Sequence, residues 1–132
     1  MQCILVTPER TVCDQPADFA ALTLFDGEIG IAPGHTPLVG RLGYGEMRLR
    51  HGNQWSRYYV EGGFVEVLDD VVTVLTPRAL PPEEIDQAVA EEQLQAALAR
   101  PAHSPELLAS RQRAVTESRA RLRVARRAGG AG

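Results

Sequence analysis

Glu28 and His35, which are both capable of acid–base chemistry, lie in the segment 26–39. A carboxylate and an imidazole can act as general bases when a nucleophile or a bound metal stands beside them. The chain carries no nucleophile elbow, no zinc-binding motif and no dinucleotide-binding fingerprint, and His51 and His103 lack metal-ligand spacing. We therefore expect no catalytic residue and no metal site, and we interpret Glu28 and His35 as contact residues.

The backbone of segment 26–39 is constrained by three glycines and two prolines. Glycine reaches backbone angles that a side chain forbids, and proline fixes φ while removing an amide donor. We therefore predict one loop with a defined path, which presents Glu28 and His35 outward and turns its aliphatic residues inward. Those aliphatic residues are Ile29, Ile31, Leu38 and Val39.

Polar and apolar residues alternate from the N-terminus to about residue 77, as they do along 17–24 and 71–75. Turn residues such as Gly52, and the pair Asp69 and Asp70, separate these runs. Short runs with turns about every 8–12 residues are typical of antiparallel sheets. The pattern predicts roughly seven to ten strands in an antiparallel β-sandwich or flattened barrel.

Pro77, Pro81 and Pro82 mark a boundary, because proline ends strands and suits the first turn of a helix. We therefore predict a β domain at 1–80 and a helical domain at 81–132. The fold class is α+β.

Two helices are predicted in the second domain, where they form a hairpin. Ser104 and Pro105 suit the N-cap and the first residue of the second helix, which we expect to end near Arg127 because two glycines follow. The first helix, over 83–99, lacks glycine and proline. Its apolar residues at helical spacing are Ile85, Val89, Leu94 and Leu98.

All fourteen basic residues are arginines, which rules out the lysine chemistry of P-loops and Schiff bases. Residues 81–105 carry five acids and one arginine, whereas residues 106–132 carry seven arginines and two acids. The two helices can therefore pair with each other, or the basic helix can bind an acidic partner surface. Nucleic-acid binding is not expected, because the rest of the chain is acidic and lacks aromatic stacking platforms. The seven arginines are Arg111, Arg113, Arg119, Arg121, Arg123, Arg126 and Arg127.

Cys3 and Cys13 are expected to face each other if 2–6 and 10–13 form a hairpin, as free and half-buried thiols without a disulfide. No apolar run approaches the ~20 residues that span a bilayer, and no leader segment is recognisable. We therefore expect a cytoplasmic protein.

Residues 26–38 resemble a motif of the epsilon-subunit family of F-type ATP synthases. The motif reads approximately Glu-Gly-Glu-Leu-Gly-Ile-x-Pro-Gly-His-x-Pro-Leu, and here the first acid is Asp26 and one aliphatic residue differs. Residues 62–67 (Gly-Gly-Phe-Val-Glu-Val) resemble a second family motif, and residues 85–90 resemble the opening of the family's helical hairpin. The resemblance covers nearly the whole chain.

The resemblance implies a bacterial epsilon subunit, which is a non-catalytic part of the central stalk and needs no cofactor. In that family the β-sandwich binds the gamma subunit and the c-ring, and it couples proton translocation to rotary ATP synthesis. The C-terminal helices are regulatory, since they enter the alpha/beta catalytic head and inhibit ATP hydrolysis. Such a subunit is peripheral, at the cytoplasmic face of the membrane, and is held there only through the complex.

The resemblance also implies two contact sites. It assigns the inhibitory contact with an acidic segment of the beta subunit to the seven arginines of the second helix. It assigns the contact with the c-ring and the gamma subunit to residues of the 26–39 segment, which are Glu28, Gly30, Pro33, Gly34 and His35.

Some members of this family bind ATP through the motif Ile/Leu-Asp-x-x-Arg-Ala. Ile85 and Asp86 match it, but Val89 replaces the arginine. An aliphatic side chain cannot make charge-assisted bonds to an anionic nucleotide, so a nucleotide site at Ile85 and Asp86 is disfavoured. The alternative function from another class is a free-standing ligand-binding β-sandwich with a helical oligomerisation hairpin.

Overall fold

Ten β-strands form the first of two compact units, Met1–Pro81, in a computed structural model that describes residues 1–130. The strands are β1 (Gln2–Val6), β2 (Thr11–Pro16), β3 (Phe19–Leu24), β4 (Gly27–Ile31), β5 (Leu38–Arg41), β6 (Tyr44–His51), β7 (Gln54–Glu61), β8 (Phe64–Leu68), β9 (Val71–Leu75) and β10 (Ala79–Leu80). They form two five-stranded sheets, with the order β2-β1-β9-β8-β5 in the first sheet and β10-β7-β6-β3-β4 in the second.

The predicted β-sandwich is confirmed, but one of its strand pairs is not antiparallel. Among the described strands, β1 and β9 run parallel and the other neighbours run antiparallel. Strands of both sheets lie between β1 and β9 along the chain, and β9 then pairs beside β1 in the same direction. Alternation predicts which face a residue occupies, but it does not predict the direction of a neighbouring strand.

Side chains from the inner faces of both sheets form one apolar core. Buried and exposed residues alternate along β8 and β9, so that Val65 and Val72 point inward and are fully buried. Leu5 in β1 and Met47 in β6 are also fully buried. Burial of each large aliphatic side chain contributes about 1.5–3 kcal/mol, so this core is the main source of stability in the sandwich.

Cys3 and Cys13 both lie in this core, but they do not stand directly opposite each other. Cys3 pairs with Gln15 and Cys13 pairs with Leu5, so the expected face-to-face arrangement is wrong, and the thiols are diagonal neighbours. Both are free and more deeply buried than predicted. Burial raises the pKa of Cys3 to about 11 and also raises the pKa of Cys13. Both thiols therefore stay protonated at neutral pH.

The second unit begins at Pro82 and contains the predicted helical hairpin, with α1 (Gln87–Leu98) and α2 (Pro105–Gly130). α1 begins later than predicted, because Pro82–Glu84 form a 3₁₀ turn and Asp86 is the N-cap. Asp86 Oδ1 accepts hydrogen bonds from the backbone amides of the second and third helical residues, at 3.0 and 3.2 Å.

α2 begins as predicted, because Ser104 Oγ accepts a hydrogen bond from the Leu107 amide at 3.2 Å. It continues to Gly130, beyond the end predicted at Arg127. A glycine weakens a helix by only about 1 kcal/mol and keeps its amide donor, so two glycines need not stop it. Residues 131 and 132, the end of the predicted second domain, lie outside the described residues.

α1 packs on α2 through small side chains. The buried residues of α1 are Ala90 and Ala97. Val89, one of the apolar residues at helical spacing, is 46% exposed. Neither helix within residues 1–130 combines the length and the hydrophobicity that a bilayer-spanning segment needs.

Candidate functional site

Segment 26–39 is not the single loop that the sequence predicts. Its first part is β4, the edge strand of the second sheet, and its last part belongs to β5, the edge strand of the first sheet. Residues 32–37, the inter-sheet turn, carry the chain from one sheet to the other. The glycines and prolines predicted a break, but ladder pairing with β3 extends the strand as far as Ile31.

Three of the four aliphatic residues in this segment face inward, as expected. Ile31 is fully buried, and Ile29 and Leu38 pack against the core. Val39 is 74% exposed, which contradicts the prediction. It follows Leu38 in β5, and successive residues of a strand point to opposite faces of the sheet.

Glu28 and His35 do not share one loop. Glu28 is exposed near the start of β4, opposite Thr23 of β3. His35 lies beyond the other end of that strand, in the inter-sheet turn. The structure therefore separates the two residues into contact candidates at opposite ends of β4.

The His35 ring makes one hydrogen bond, which favours one tautomer of its neutral form. Its Nδ1 lies 2.7 Å from the backbone oxygen of Thr36. A carbonyl oxygen only accepts, so Nδ1 donates this hydrogen bond, and Nε2 of the neutral ring is left as an acceptor. The His35 amide donates to the Ala32 oxygen at 3.2 Å, and the Gly34 amide donates to Asp70 Oδ1 at 2.9 Å. Pro33 and Gly34 are exposed beside the ring.

Gly30 is required by the packing of the second sheet. A Cβ at this position would lie 2.9 Å from Cζ of Phe19. Phe19, Arg50 and Trp55 stand opposite one another across three strands. The Arg50 guanidinium lies 5.7 and 5.8 Å from the centroids of the Phe19 and Trp55 rings, within the range of cation–π attraction. This geometry gives Gly30 a packing role, and a partner contact by Gly30 stays a prediction.

The outer face of the first sheet carries an apolar patch that the sequence analysis missed. Val39, Phe64, Leu68 and Leu75 are 74%, 57%, 46% and 51% exposed, and the register of β5, β8 and β9 places them on this same face. We call these four residues the exposed apolar face. A cavity of about 410 Å³ adjoins it, lined by Phe64 and Leu75 and by residues near Pro8 and Pro77. Apolar residues at outward positions of β8 were the signal available in the sequence.

Three arginines of α2 face α1. Arg111 donates from Nε and Nη2 to the backbone oxygen of Leu98, the last residue of α1, at 3.2 Å each. Arg121 donates to Gln93 Oε1 at 3.1 Å, and it also pairs with Glu117 one turn away. Arg126 Nη2 lies 4.0 Å from a carboxylate oxygen of Glu91. We call these three the inward arginines.

The remaining arginines of α2 are exposed. Arg113, Arg119 and Arg123 are exposed, and no ion pair is seen for them within residues 1–130. We call these three the outward arginines. Arg127 is also exposed. The seven arginines of the predicted contact are therefore not one surface, because Arg111, Arg121 and Arg126 are partly used in holding the hairpin together.

The two residues of the disfavoured nucleotide site precede α1. Ile85 is half-buried, and the Asp86 carboxylate accepts the two amide hydrogen bonds of the helix cap. Val89 is exposed and α1 contains no arginine, so α1 offers no cation to a phosphate. Residues 1–130 also contain no group of three or more candidate metal ligands.

Comparison with known proteins decides the family. The family profile described as ATP synthase, Delta/Epsilon chain, beta-sandwich domain, matches residues 1–82. The ATP synthase epsilon chain of Rhodopirellula baltica is 47% identical over 126 residues, which cover 96% of this chain and 98% of that protein. This chain belongs to the ATP synthase epsilon chain family. The resemblance seen in the sequence is confirmed.

Solved ATP synthases contain chains with the same fold as this epsilon chain. One is in the mitochondrial ATP synthase of Euglena gracilis, solved with OSCP, F1 and the c-ring. Its TM-score is 0.81 at 25% identity, over 89% of this chain and 76% of that chain. Another is in the central stalk and c-ring of the Tetrahymena thermophila mitochondrial enzyme. There the TM-score is 0.76 at 13% identity, over 95% and 96% of the two chains, which shows the fold alone.

These comparisons give the epsilon chain a place in the central stalk of an ATP synthase, as a non-catalytic subunit. The predictions of an ATP synthase subunit and of a non-catalytic role are confirmed. A relative matched along nearly its whole length favours this identity over a free-standing ligand-binding module.

Proposed function

We propose that this epsilon chain joins the gamma subunit to the c-ring at the cytoplasmic face of the membrane. We further propose that its helical hairpin inhibits ATP hydrolysis by the alpha/beta catalytic head. A sandwich bound to both rotor parts turns with them, and in this way it couples proton translocation to rotary ATP synthesis. The hairpin acts as the regulatory part, since it can contact the head without any change in the sandwich.

The exposed apolar face is the observation that carries the gamma assignment. Val39, Phe64, Leu68 and Leu75 lie on one face of one sheet around the exposed Glu66, and exposed apolar patches edged by polar residues mark interaction sites in soluble domains. The adjoining cavity can accept an apolar side chain from a partner. A permanent stalk subunit needs such a contact, because interfaces in obligate complexes are more apolar than ordinary protein surface.

The turn between β3 and β4 supports the c-ring assignment. Phe25 in this turn is 67% exposed, and the Arg41 guanidinium lies 5.6 Å from the centroid of its ring. Glu28 is exposed close by in β4. This end of the sandwich therefore offers a carboxylate, a guanidinium and an aromatic ring together, which suits a partner surface with both polar and apolar groups.

The outward arginines support the inhibitory assignment. Arg119 and Arg123 are one helical turn apart on the exposed surface of α2, and Arg113 lies further toward the start of the helix. Exposed guanidinium groups spaced along a helix suit an acidic partner surface, to which each can bind in a bidentate manner. The acidic segment of the beta subunit, implied by the sequence resemblance, has the required chemistry.

Co-purification tests the partner assignments. The full chain, tagged at its C-terminus, is isolated from its native membranes in mild detergent, and the proteins that accompany it are identified. We expect gamma, c, alpha and beta subunits. Phe64→Ser should reduce the recovered gamma subunit, because it replaces an apolar ring of the proposed contact that also lines the adjoining cavity.

Trp55→Ser is the matched control, since Trp55 is also an exposed aromatic residue of the sandwich but lies on the second sheet. It should leave recovery of the gamma subunit unchanged. Equal recovery with Phe64→Ser and the unchanged chain would contradict the proposal that the exposed apolar face binds gamma.

A further inference from the structure

The two-residue turn between β8 and β9 has an unusual backbone. Asp69 and Asp70 both have positive φ, 51° and 63°, and Leu68 pairs with Val71 on either side of them. Positive φ at both central positions is the geometry of a tight hairpin turn that matches the twist of the strands. It also directs the Asp70 carboxylate toward the inter-sheet turn, since Oδ1 accepts a hydrogen bond from the Gly34 amide at 2.9 Å.

The inter-sheet turn, residues 32–37, has little else to fix it. Ala32, Pro33, Gly34, Thr36 and Pro37 are exposed, so apolar burial does not hold them. The hydrogen bonds described for this turn are two local ones within it and the Gly34–Asp70 bond. Among these, only the bond to Asp70 ties the turn to another part of the sandwich.

A second aspartate makes the same kind of bond at a different pair of turns. Asp18 Oδ2 accepts a hydrogen bond from the Gly52 amide at 2.7 Å. Asp18 precedes β3, and Gly52 lies in the turn between β6 and β7. Asp18 does not contact the inter-sheet turn through this bond, so it provides a control of equal chemistry at a different place.

We propose that Asp70 is a positioning residue that holds the inter-sheet turn so that Nε2 of neutral His35 accepts a hydrogen bond from the docked partner. The partner group is a donor, namely a backbone amide, a hydroxyl or a cationic side chain, because Nδ1 is already engaged with the Thr36 oxygen. This inference rests on the proposed function, and it takes the gamma subunit as the partner of the His35 turn, a contact that the sequence resemblance implies. Asp70 acts through Gly34, and it does not itself contact the partner.

Four variants of the full chain test this role. Asp70→Gly keeps the positive φ and removes the carboxylate. Asp70→Asn restores an acceptor at Oδ1 and tolerates the same backbone, but it abolishes the 3.7 Å ion pair between Asp70 and the Met1 ammonium. Asp69→Gly changes the turn but leaves the Gly34 bond, and Asp18→Ala removes the equivalent bond elsewhere.

The first measurement is binding of each variant to a purified complex of alpha, beta and gamma subunits. We expect Asp70→Gly to weaken binding about three- to tenfold, which corresponds to loss of one hydrogen bond that pre-organises a contact. Asp70→Asn should bind within about twofold of the unchanged chain, as should both control variants. The second measurement is the NMR signals of the Gly34 amide and the His35 ring in the free chain, which should move in Asp70→Gly alone.

Four outcomes would overturn the proposal. If Asp70→Gly leaves the His35 ring signals unchanged, Asp70 does not position His35. If Asp18→Ala weakens binding as much as Asp70→Gly, the effect comes from general stability. If Asp70→Asn fails to rescue, the ion pair with Met1 is the cause. His35→Ala separates the proposed function from this inference: if it binds normally, the contact assigned to His35 is wrong and Asp70 has no docking role.

Discussion

The sandwich and the hairpin are held together by different kinds of contact. The sandwich completely buries large side chains such as Leu5, Met47 and Val65. α1 contributes only Ala90 and Ala97 as buried residues within its described length, and the inward arginines add polar contacts. A buried Leu contributes about 1.5–3 kcal/mol, whereas a solvent-exposed ion pair contributes about 1 kcal/mol or less. α2 also buries Leu122 and Val124, so the part of the hairpin that is easier to exchange than the sandwich core is its set of polar contacts.

This difference suits a subunit with one permanent and one regulatory part. A packed apolar core has one arrangement, whereas contacts that differ by only a few kcal/mol allow two states to be populated. The inward arginines bind α1 in one state, and the same side chains are free to bind an acidic partner if the helices separate. The outward arginines are available in both states.

Removal of one core side chain should give the largest effect, and only in the sandwich. Leu5→Ala should lower the free energy of unfolding by about 3 kcal/mol, because it leaves a cavity in a fully packed region. Leu122→Ala in α2 should leave the unfolding transition of the sandwich unchanged and should reduce the helical signal. Urea unfolding followed by the fluorescence of Trp55, the single tryptophan, reports the sandwich, and far-UV circular dichroism reports the helices.

Val39→Ala is the control for Leu5→Ala, since Val39 is 74% exposed and should change the free energy of unfolding by no more than about 0.5 kcal/mol. If Leu122→Ala shifts the urea transition seen by Trp55 fluorescence as far as Leu5→Ala does, the sandwich is not stabilised independently of the hairpin.

Deletion of residues 82–132 should remove the inhibition of ATP hydrolysis and keep the coupling of rotation to proton translocation. ATP hydrolysis by the assembled complex should rise about tenfold if the inhibited state holds roughly nine-tenths of the molecules, while coupling of rotation to proton translocation stays intact. ATPase assays and proton-pumping assays on the same membranes measure the two effects. Unchanged hydrolysis would remove the inhibitory role from the hairpin, and lost coupling would show that the sandwich needs it.

The architecture was predictable from the sequence because its signals are local. Alternation gave the strands, the prolines after residue 76 gave the end of the sheet region, and Ser104 with Pro105 gave the start of α2. The parallel β1–β9 pair was not predictable in this way, because it depends on the order in which the chain forms the two sheets. The predicted start of α1 was wrong because a single side chain decides it, namely Asp86, which caps the helix.

The contact residues were less predictable, because their roles depend on the tertiary structure. Glu28 and His35 are seven positions apart in the sequence, but β4 separates them in space. The glycine at position 30 looked like part of a loop, yet it is required by the Phe19 ring on the neighbouring strand. Asp70 was predictable as a turn residue, but its hydrogen bond to Gly34 was not, since that partner is 36 residues away.

The two classes of arginine should have opposite effects on ATP hydrolysis. Arg111→Gln removes both hydrogen bonds to the Leu98 oxygen at the negative end of the α1 dipole, so it favours separation of the helices and should lower hydrolysis. Arg123→Gln removes an outward cation from the proposed contact and should raise hydrolysis. Each change should be about threefold, in keeping with the modest energy of one partly exposed charged contact.

Arg113→Gln is the comparison for Arg111→Gln, because it removes an equal charge two residues away, from a side chain on the exposed surface, and as an outward arginine it should raise hydrolysis as Arg123→Gln does. ATPase assays on reconstituted complexes measure all three variants. A change of the same sign for Arg111→Gln and Arg123→Gln would mean that the two classes of arginine have the same role.

The smallest expected effect is a decline in the stability of the sandwich at alkaline pH. Burial raises the pKa of Cys3 from its ordinary 9.0 to about 11, and the neighbouring Cys13 adds to this. Its stabilising contribution is therefore complete below about pH 9 and is lost between about pH 9 and 11, as the unfolded thiol ionises first. Lysine does not titrate in this range, because the chain has none, but Cys13, whose pKa burial also raises, loses its contribution in the same direction.

Cys3→Ala should flatten this decline in the free energy of unfolding, measured by urea titration with Trp55 fluorescence at each pH. Tyr58 should add a further loss above pH 10, because burial and its hydrogen bond to Cys13 raise its pKa to about 12. The helical signal should not follow the same curve, since these groups belong to the sandwich. If Cys3→Ala keeps the full decline between pH 9 and 10, then Cys3 is not the group responsible. The conclusion that its protonated thiol stabilises the sandwich would then be wrong.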